Sequence, residues 1–310
     1  MKIGLQAVQG RDHPVGRKLI RMAGWTLTVL VILVTALVLH LYLEGRPTQG
    51  RPQYVAMGSS FAAGPAITEE AENSPWFCAR SRDNYAHQLA RLRGLSLVDV
   101  SCGGATTKDI LEGGRALQPA QIEAVTGETE LVTVTIGGND IGYLANLMAM
   151  GCDDGTPWYV RSMGGCTTRS MAAMEQALPK LLNQLVAIID EVHRRAPAAQ
   201  VVLVNYQTVL PESGTCERLG LSEAQVARMR DIAGQLSEVT YAAAQGHGAL
   251  LMDAGRITRG HDACAEVPWM NGMHPPGGLM GAPLHPSVEG MTAVAQGLNA
   301  LLGEPQRTSN

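Results

Sequence analysis

Strand-like and helix-like segments alternate along this chain from residue 53 onward, and this alternation constrains the fold more than any other feature. The strand-like segments are short and rich in aliphatic residues, and they lie at 53–57, 95–100, 130–136, 200–205 and 249–253. The helix-like segments lie at 84–92, 107–112, 170–195, 222–245 and 286–302, with Pro179 expected to kink or divide the third. Such alternation predicts a parallel sheet with helices on both faces. In sheets of this kind the chemistry lies beyond the carboxyl ends of the strands.

The N-terminal segment has a different character from the rest of the chain. Residues 1–19 are basic, and residues 20–43 are almost wholly apolar. A membrane-spanning helix needs about 20 apolar residues, whereas a signal-peptide core needs about 7–15. No Ala-x-Ala-like cleavage site follows, so we expect an uncleaved anchor with a cytoplasmic N-terminus and a linker at 44–52. A long cleaved signal peptide, followed by secretion, is the alternative.

The charge and the cysteines bear on location and partners. The net charge is −4 with 4% aromatic residues, and the chain after residue 43 has 19 basic against 27 acidic residues; an acidic body of this kind argues against nucleic-acid binding. All six cysteines follow the apolar segment, and none forms a C-x-x-C pair, so a zinc site is not expected. An oxidising compartment would allow three disulfides in any of fifteen pairings. The simplest pairing joins neighbours in order, as Cys78–Cys102, Cys152–Cys166 and Cys216–Cys264, while buried free thiols are the alternative.

A serine turn follows the first predicted strand, in the segment 54–64. Ser60 lies between an apolar strand and a run of small residues, where a tight turn would expose a nucleophilic hydroxyl. A surface turn is the commoner explanation for a single serine. The nucleophile elbow G-x-S-x-G is not matched, because Ala62 replaces its second glycine. Ser60 also lies on the first strand rather than in mid-chain, which disfavours an α/β-hydrolase.

Two further strand ends carry candidate hydrogen-bond donors. Gly103 and Gly104 follow the second strand, and Asn139 lies in a Gly-Gly-Asn-Asp run after the third. Either run alone fits a plain turn, because Gly and Asn tolerate left-handed backbone angles. Together they predict an oxyanion hole, since acyl transfer develops negative charge that fixed N–H groups stabilise. The donors would be the backbone N–H groups of Ser60 and Gly104 and the side-chain amide of Asn139.

His285 is the candidate general base among the eight histidines. Pro286 behind it fits the first turn of the closing helix, which would place the imidazole at the strand edge. His274-Pro275 is a similar pair, but no regular helix follows it. We therefore favour His285.

The segments around Ser60, Gly104, Asn139 and His285, in that order, resemble the four sequence blocks of the SGNH/GDSL hydrolases. The resemblance is closest to the extracellular actinobacterial esterases and lipases, and it covers about residues 53–302. It implies a flavodoxin-like, three-layer α/β/α sandwich with three disulfides, here at 53–303 before a disordered tail at 304–310. By position, it implies Ser60 as the nucleophile, His285 as the base, and Ser60, Gly104 and Asn139 as the oxyanion hole.

The sequence departs from this family in two places. Ser59 stands where the family usually has an aspartate before the nucleophile, and Ala282 stands where it usually has one three residues before the histidine. Something other than that carboxylate must hold the imidazole. The resemblance implies that a backbone carbonyl can do so, and the carbonyl of Ala282 is the first candidate. The carboxylate of Asp262 is the second.

The sequence thus predicts a membrane-anchored, externally facing serine esterase or lipase that acts through an acyl-enzyme as a monomer. No metal or organic cofactor is implied. An acyltransferase using the same site, or a degenerate binding domain of the same fold, is the alternative. The segments 265–283 and 150–168 are candidate walls of the substrate pocket, although the apolar residues of the first are equally well explained as loop filler.

Overall fold

The computed structural model describes residues 14–44, 51–275 and 281–303. The chain divides into two compact units, Met1–Leu43 and Glu44–Asn310. Residues 1–13, most of the expected linker (45–50), part of one candidate pocket wall (276–280) and the expected tail (304–310) lie outside the described residues.

The first unit contains one long helix, α1 (Pro14–Glu44). Within it, the stretch Arg21–His40 is long and apolar enough to cross a membrane, a property that a signal sequence near an N-terminus shares. The hydroxyls of Thr26 and Thr28 donate to carbonyl oxygens one turn back, so these polar groups are satisfied within the helix.

The second unit is built on a five-stranded parallel sheet. The strands are β1 (Tyr54–Gly58), β2 (Leu97–Asp99), β3 (Leu131–Thr135), β4 (Gln200–Val204) and β5 (Ala249–Met252). Their order is β2-β1-β3-β4-β5, the order of flavodoxin-like sheets. All five predicted strands are confirmed, each within about two residues of its expected ends. Because Gly58 pairs with Thr135, β1 and β3 end level with each other at the carboxyl edge.

Helices cover both faces of this sheet. They are α2 (Ser60–Ala63), α3 (Tyr85–Arg93), α4 (Thr107–Leu111), α5 (Gly138–Ile141), α6 (Tyr143–Met150), α7 (Trp158–Ser162), α8 (Met171–Arg195), α9 (Glu223–Ala244), α10 (Ala254–Ile257) and α11 (Val288–Leu301). Alternate strand residues point to opposite faces, and the hydrophobic core divides accordingly. One cluster joins residues such as Val132 to α4, α8 and α9, and the other joins residues such as Val202 to α3 and α11. Each fully buried aliphatic side chain contributes about 1.5–3 kcal/mol.

The long helices follow the sequence prediction, with two differences. Helix α8 runs unbroken from Met171 to Arg195, so Pro179 does not divide it. Helix α11 begins at Val288, capped by the Ser287 side chain, so Pro286 precedes the helix and is not part of its first turn. The expectation for Pro286 was therefore wrong. Pro286 instead forms an isolated bridge with Met270.

Three disulfides crosslink the second unit. They join Cys78 to Cys102, Cys152 to Cys166 and Cys216 to Cys264, which confirms the sequential pairing. The first lies close to the predicted oxyanion segment, because Cys102 is two residues before Gly104. Crosslinks of this kind typically contribute about 2–4 kcal/mol to the free energy of unfolding.

Candidate active site

Ser60 and His285 meet at the carboxyl edge of the sheet, although 225 positions separate them in the chain. The His285 Nε2 atom lies 2.7 Å from the Ser60 Oγ atom. Ser60 is the first residue of α2, and Ser59 occupies the N-cap position before it. The strand-to-helix turn therefore exposes the hydroxyl at the place expected from the sequence.

The backbone before Ser60 is held closely from two sides. Gly58 has φ +143°, and a Cβ there would lie 2.4 Å from the Thr135 carbonyl oxygen, so only glycine fits. The side chain of Gln121 accepts from the Gly58 N–H at 2.8 Å and donates to the Gly58 carbonyl at 3.0 Å. The Ser59 N–H donates to the Thr135 carbonyl at 2.9 Å. These bonds fix the start of the serine turn against β3. Gln121 was not predicted from the sequence, because no local pattern identifies it.

The imidazole of His285 is oriented by a backbone carbonyl. Its Nδ1 atom lies 2.7 Å from the carbonyl oxygen of Pro283. A carbonyl can only accept, so Nδ1 carries the proton and Nε2 is left as the acceptor for the Ser60 hydroxyl. This tautomer is the one that a general base needs.

The acceptor is not the one predicted from the sequence. The Ala282 carbonyl accepts instead from the His285 backbone N–H at 3.3 Å and from the Asn271 side-chain amide at 3.2 Å. Asp262, the second candidate, accepts from the Cys264 N–H at 2.8 Å. Ala282 and Leu284 both have positive φ, +52° and +59°, and this local turn aims the carbonyl between them at the imidazole. The prediction of a backbone carbonyl was right in kind and wrong by one residue.

Burial shifts the pKa of His285. Desolvation lowers the pKa from its ordinary value of 6.5, and the bond to the Pro283 carbonyl opposes this in part. The imidazole is therefore biased towards its neutral form, which can accept a proton.

Two of the candidate oxyanion donors lie on segments that are bonded to each other, Gly104 before α4 and Asn139 in α5. The Asn139 Nδ2 atom donates to the Ala105 carbonyl at 2.9 Å, next in the chain to Gly104. An amide nitrogen carries two N–H groups, so this bond orients the side chain and uses one of them. The Asp140 carboxylate accepts from the Thr107 N–H at 3.1 Å and from the Thr107 hydroxyl at 2.5 Å. Gly104 has φ +74°, a conformation that favours glycine.

Tyr206 was not singled out in the sequence, yet its hydroxyl contacts two of these segments. The Gly138 N–H donates to it at 2.8 Å, and the Ser59 hydroxyl lies 3.4 Å away. Tyr206 is the second residue after β4, so the rule that strand ends carry the site was the available signal.

Of the two candidate pocket walls, the described part of 265–283 is mostly packed against the rest of the catalytic unit. Met270 and Met273 are buried, and Trp269 stacks on His261 with ring centroids 3.6 Å apart. On the other segment, Trp158 and Tyr159 are exposed. A cavity of about 450 Å³ lies beside Tyr206 and α9, and its lining includes neither Ser60 nor His285.

A serine hydroxyl bonded to a neutral imidazole, with amide donors on the adjacent strand ends, is the arrangement of a serine hydrolase. The site at this edge of the sheet therefore places the protein in the class of serine hydrolases.

Known proteins resemble this chain in both sequence and fold. The sequence profile of the GDSL-like lipase/acylhydrolase family matches residues 56–293. Lipase 2 of Streptomyces coelicolor is 31% identical over 272 residues, which covers 83% of this chain and 88% of that protein. The structure of an extracellular lipase from Streptomyces rimosus superposes with a TM-score of 0.65 at 29% identity, covering 80% of this chain and 98% of that one. Phospholipase A1 from Streptomyces albidoflavus gives a TM-score of 0.64 at 25% identity, with the same coverage.

The chain belongs to the GDSL-like lipase/acylhydrolase family. It is a carboxylic-ester hydrolase, in agreement with the lipases and the phospholipase that it resembles in sequence and structure.

Proposed function

We propose that this protein hydrolyses lipid esters outside the cytoplasm through an acyl-enzyme formed on Ser60. The observation that carries this proposal is the 2.7 Å distance between the Ser60 Oγ and His285 Nε2 atoms. Lipases and a phospholipase A1 among the relatives support a lipid ester as the substrate class.

The catalytic cycle follows from the tautomer of His285. Nε2 takes the hydroxyl proton as Ser60 Oγ attacks the ester carbonyl, and the negative charge develops on the carbonyl oxygen. The N–H groups of Ser60, Gly104 and Asn139 stabilise this oxyanion. Nε2 then gives its proton to the leaving alcohol, and the acyl group remains on Ser60. Water, activated by His285, attacks the acyl-enzyme, so the acid is released and the serine is restored.

The location is proposed from the first unit and the cysteines. The basic and apolar N-terminal segments fit a signal anchor with an external catalytic unit. Three disulfides fit an oxidising compartment, and one relative is described as an extracellular lipase. Fractionation of cells that express the full chain tests the anchor: the intact chain is expected in the membrane fraction and sensitive to external protease. A shortened chain in the medium would instead identify a cleaved signal.

The experiment that tests the chemistry is Ser60→Ala in the full chain, assayed on p-nitrophenyl esters of increasing acyl length. We expect no release of p-nitrophenol above the background rate. Ser59→Ala is the matched control, because its hydroxyl lies beside Tyr206 and not beside His285. Ser59→Ala is expected to lose less than tenfold in activity and so to stay far above the background rate. Full activity of Ser60→Ala would refute the proposal. Ester products formed with an added alcohol, in place of free acid, would identify an acyltransferase.

A further inference from the structure

We propose that Tyr206 is a positioning residue for the reaction, because its hydroxyl links the turn that carries Ser60 to the helix that carries Asn139. This inference rests on the proposed function. Ser59 is the residue directly before the nucleophile. The turn before the nucleophile therefore offers a hydroxyl and no carboxylate, and Tyr206 supplies the acceptor for the facing helix.

The bond to the helix is the stronger of the two contacts. Gly138 is the first residue of α5, and the N–H groups of a first helical turn have no partner within the helix. Gly138 is buried, so its N–H would lose free energy if left unpaired. The Tyr206 hydroxyl accepts from it at 2.8 Å. Asn139 is the next residue, so this bond fixes the backbone from which the oxyanion amide projects.

The second contact reaches the serine turn. Since the tyrosine oxygen accepts from Gly138, its own proton is free for the Ser59 hydroxyl, whose oxygen lies 3.4 Å away. This distance indicates a weak hydrogen bond. Ser59 is nevertheless the N-cap of α2, directly before Ser60. The hydroxyl of Tyr206 thus connects the segments that supply the nucleophile and one oxyanion donor.

Packing holds the ring of Tyr206 in one place. Its centroid lies 4.7 Å from that of Phe61, and Phe61 lies 5.3 Å from the ring of His285. A Cβ on Gly138 would lie 2.7 Å from Tyr206 Cζ, so the ring lies directly against the α5 backbone. Burial raises the pKa of Tyr206 to about 12, so the hydroxyl stays protonated at neutral pH and can donate.

If Tyr206 only filled the core, removal of its hydroxyl would not change kcat. The chain contains a buried tyrosine outside the site that serves as a comparison. Tyr54 is fully buried, and its hydroxyl bonds to Thr133 at 2.7 Å inside the sheet. That bond joins β1 to β3 and contacts neither α2 nor α5. Tyr54→Phe is therefore the control for the loss of one buried tyrosine hydroxyl.

The test compares Tyr206→Phe, Ser59→Ala and Tyr54→Phe in the full chain, with kcat and KM measured on one p-nitrophenyl ester. Loss of a positioning hydrogen bond is expected to lower kcat about tenfold in Tyr206→Phe, with KM within twofold of wild type. Ser59→Ala is expected to lower kcat by less, because it removes only the longer contact. Tyr54→Phe is expected to keep kcat within twofold. Thermal midpoints are measured to separate folding from chemistry.

Affinity for a trifluoromethyl ketone, which forms a tetrahedral adduct with the serine, gives a second readout. It is expected to fall with kcat in Tyr206→Phe, since both report stabilisation of the oxyanion. A kcat within twofold of wild type in Tyr206→Phe, or an equal loss in Tyr54→Phe, would overturn the inference and leave the esterase intact. If Ser60→Ala kept its activity, the proposed function itself would fail.

Discussion

The two halves of the candidate active site are built in different ways. The proposed nucleophile and oxyanion donors lie after the ends of neighbouring strands, and side chains such as Asp140, Tyr206 and Gln121 bond these segments to one another. The proposed base lies on an irregular loop, where backbone carbonyls and the amide of Asn271 determine its position. The geometry of the first half therefore follows from the sheet, whereas that of the second depends on a few local backbone angles.

Among changes to the loop half, removal of the imidazole should give the largest effect, and it tests whether this loop supplies the base. His285→Ala is expected to lower kcat about 10²–10⁴-fold, the usual contribution of a general base. His274→Ala is the control, because His274 is also followed by proline and is exposed. It is expected to keep kcat within twofold. Equal losses in the two variants would show that the base has been assigned to the wrong histidine.

A smaller effect should follow from loosening the loop while the imidazole is kept. The Asn271 side chain donates to the carbonyls of Gly281 and Ala282, both at 3.2 Å, and so holds the loop that leads to His285. Asn271→Ala is expected to lower kcat/KM by up to about tenfold and the free energy of unfolding by about 1 kcal/mol.

The control for this variant is an amide that anchors a different loop. Asn146 donates to the Arg169 carbonyl at 3.3 Å and accepts from the Arg169 N–H at 2.6 Å. Asn146→Ala is expected to lower the thermal midpoint and to leave kcat/KM near the wild-type value. If both variants lost activity in step with stability, the loop of His285 would have no special dependence on Asn271.

The pH dependence should show the smallest effect, and it sharpens the contrast between a carbonyl and a carboxylate partner. Burial lowers the pKa of His285, and the neutral Pro283 carbonyl offsets this only in part. A base acts when unprotonated, so a lower pKa keeps the enzyme active to lower pH. The acid limb of kcat/KM against pH is expected to have its midpoint below 6.5. A midpoint above that value would point to a negative charge near the imidazole.

Much of the donor half could be predicted from the sequence. Ser60, Gly104 and Asn139 each follow a strand-like segment, and parallel strands bring such positions to one edge. The register of Gly58 with Thr135 places two of these segments level with each other. The short helices α2, α5, α6, α7 and α10 were not predicted, because about one or two turns carry too few residues for a helical period to be recognised.

The base half was predicted less completely. His285 was found because of its place before the last helix, but the acceptor of its Nδ1 proton was assigned to Ala282 and is Pro283. The choice between two neighbouring carbonyls depends on the positive φ angles of Ala282 and Leu284, which neither residue type favours. No pattern of residue types could have indicated that turn.

The alternation of segments that predicts the parallel sheet, the four candidate site segments and the cysteines available for crosslinking could all be read from the sequence. These depend on hydrophobic periodicity and on residue type, which are local properties. The tertiary structure alone decided that Pro283 orients the imidazole, that Gln121 holds Gly58, and that the hydroxyl of Tyr206 lies between Ser59 and Gly138. The bonds of Gln121 and Tyr206 join residues far apart in the chain, whereas the bond to Pro283 is local and depends on the positive φ angles of Ala282 and Leu284. Tenths of an ångström decide whether such bonds form.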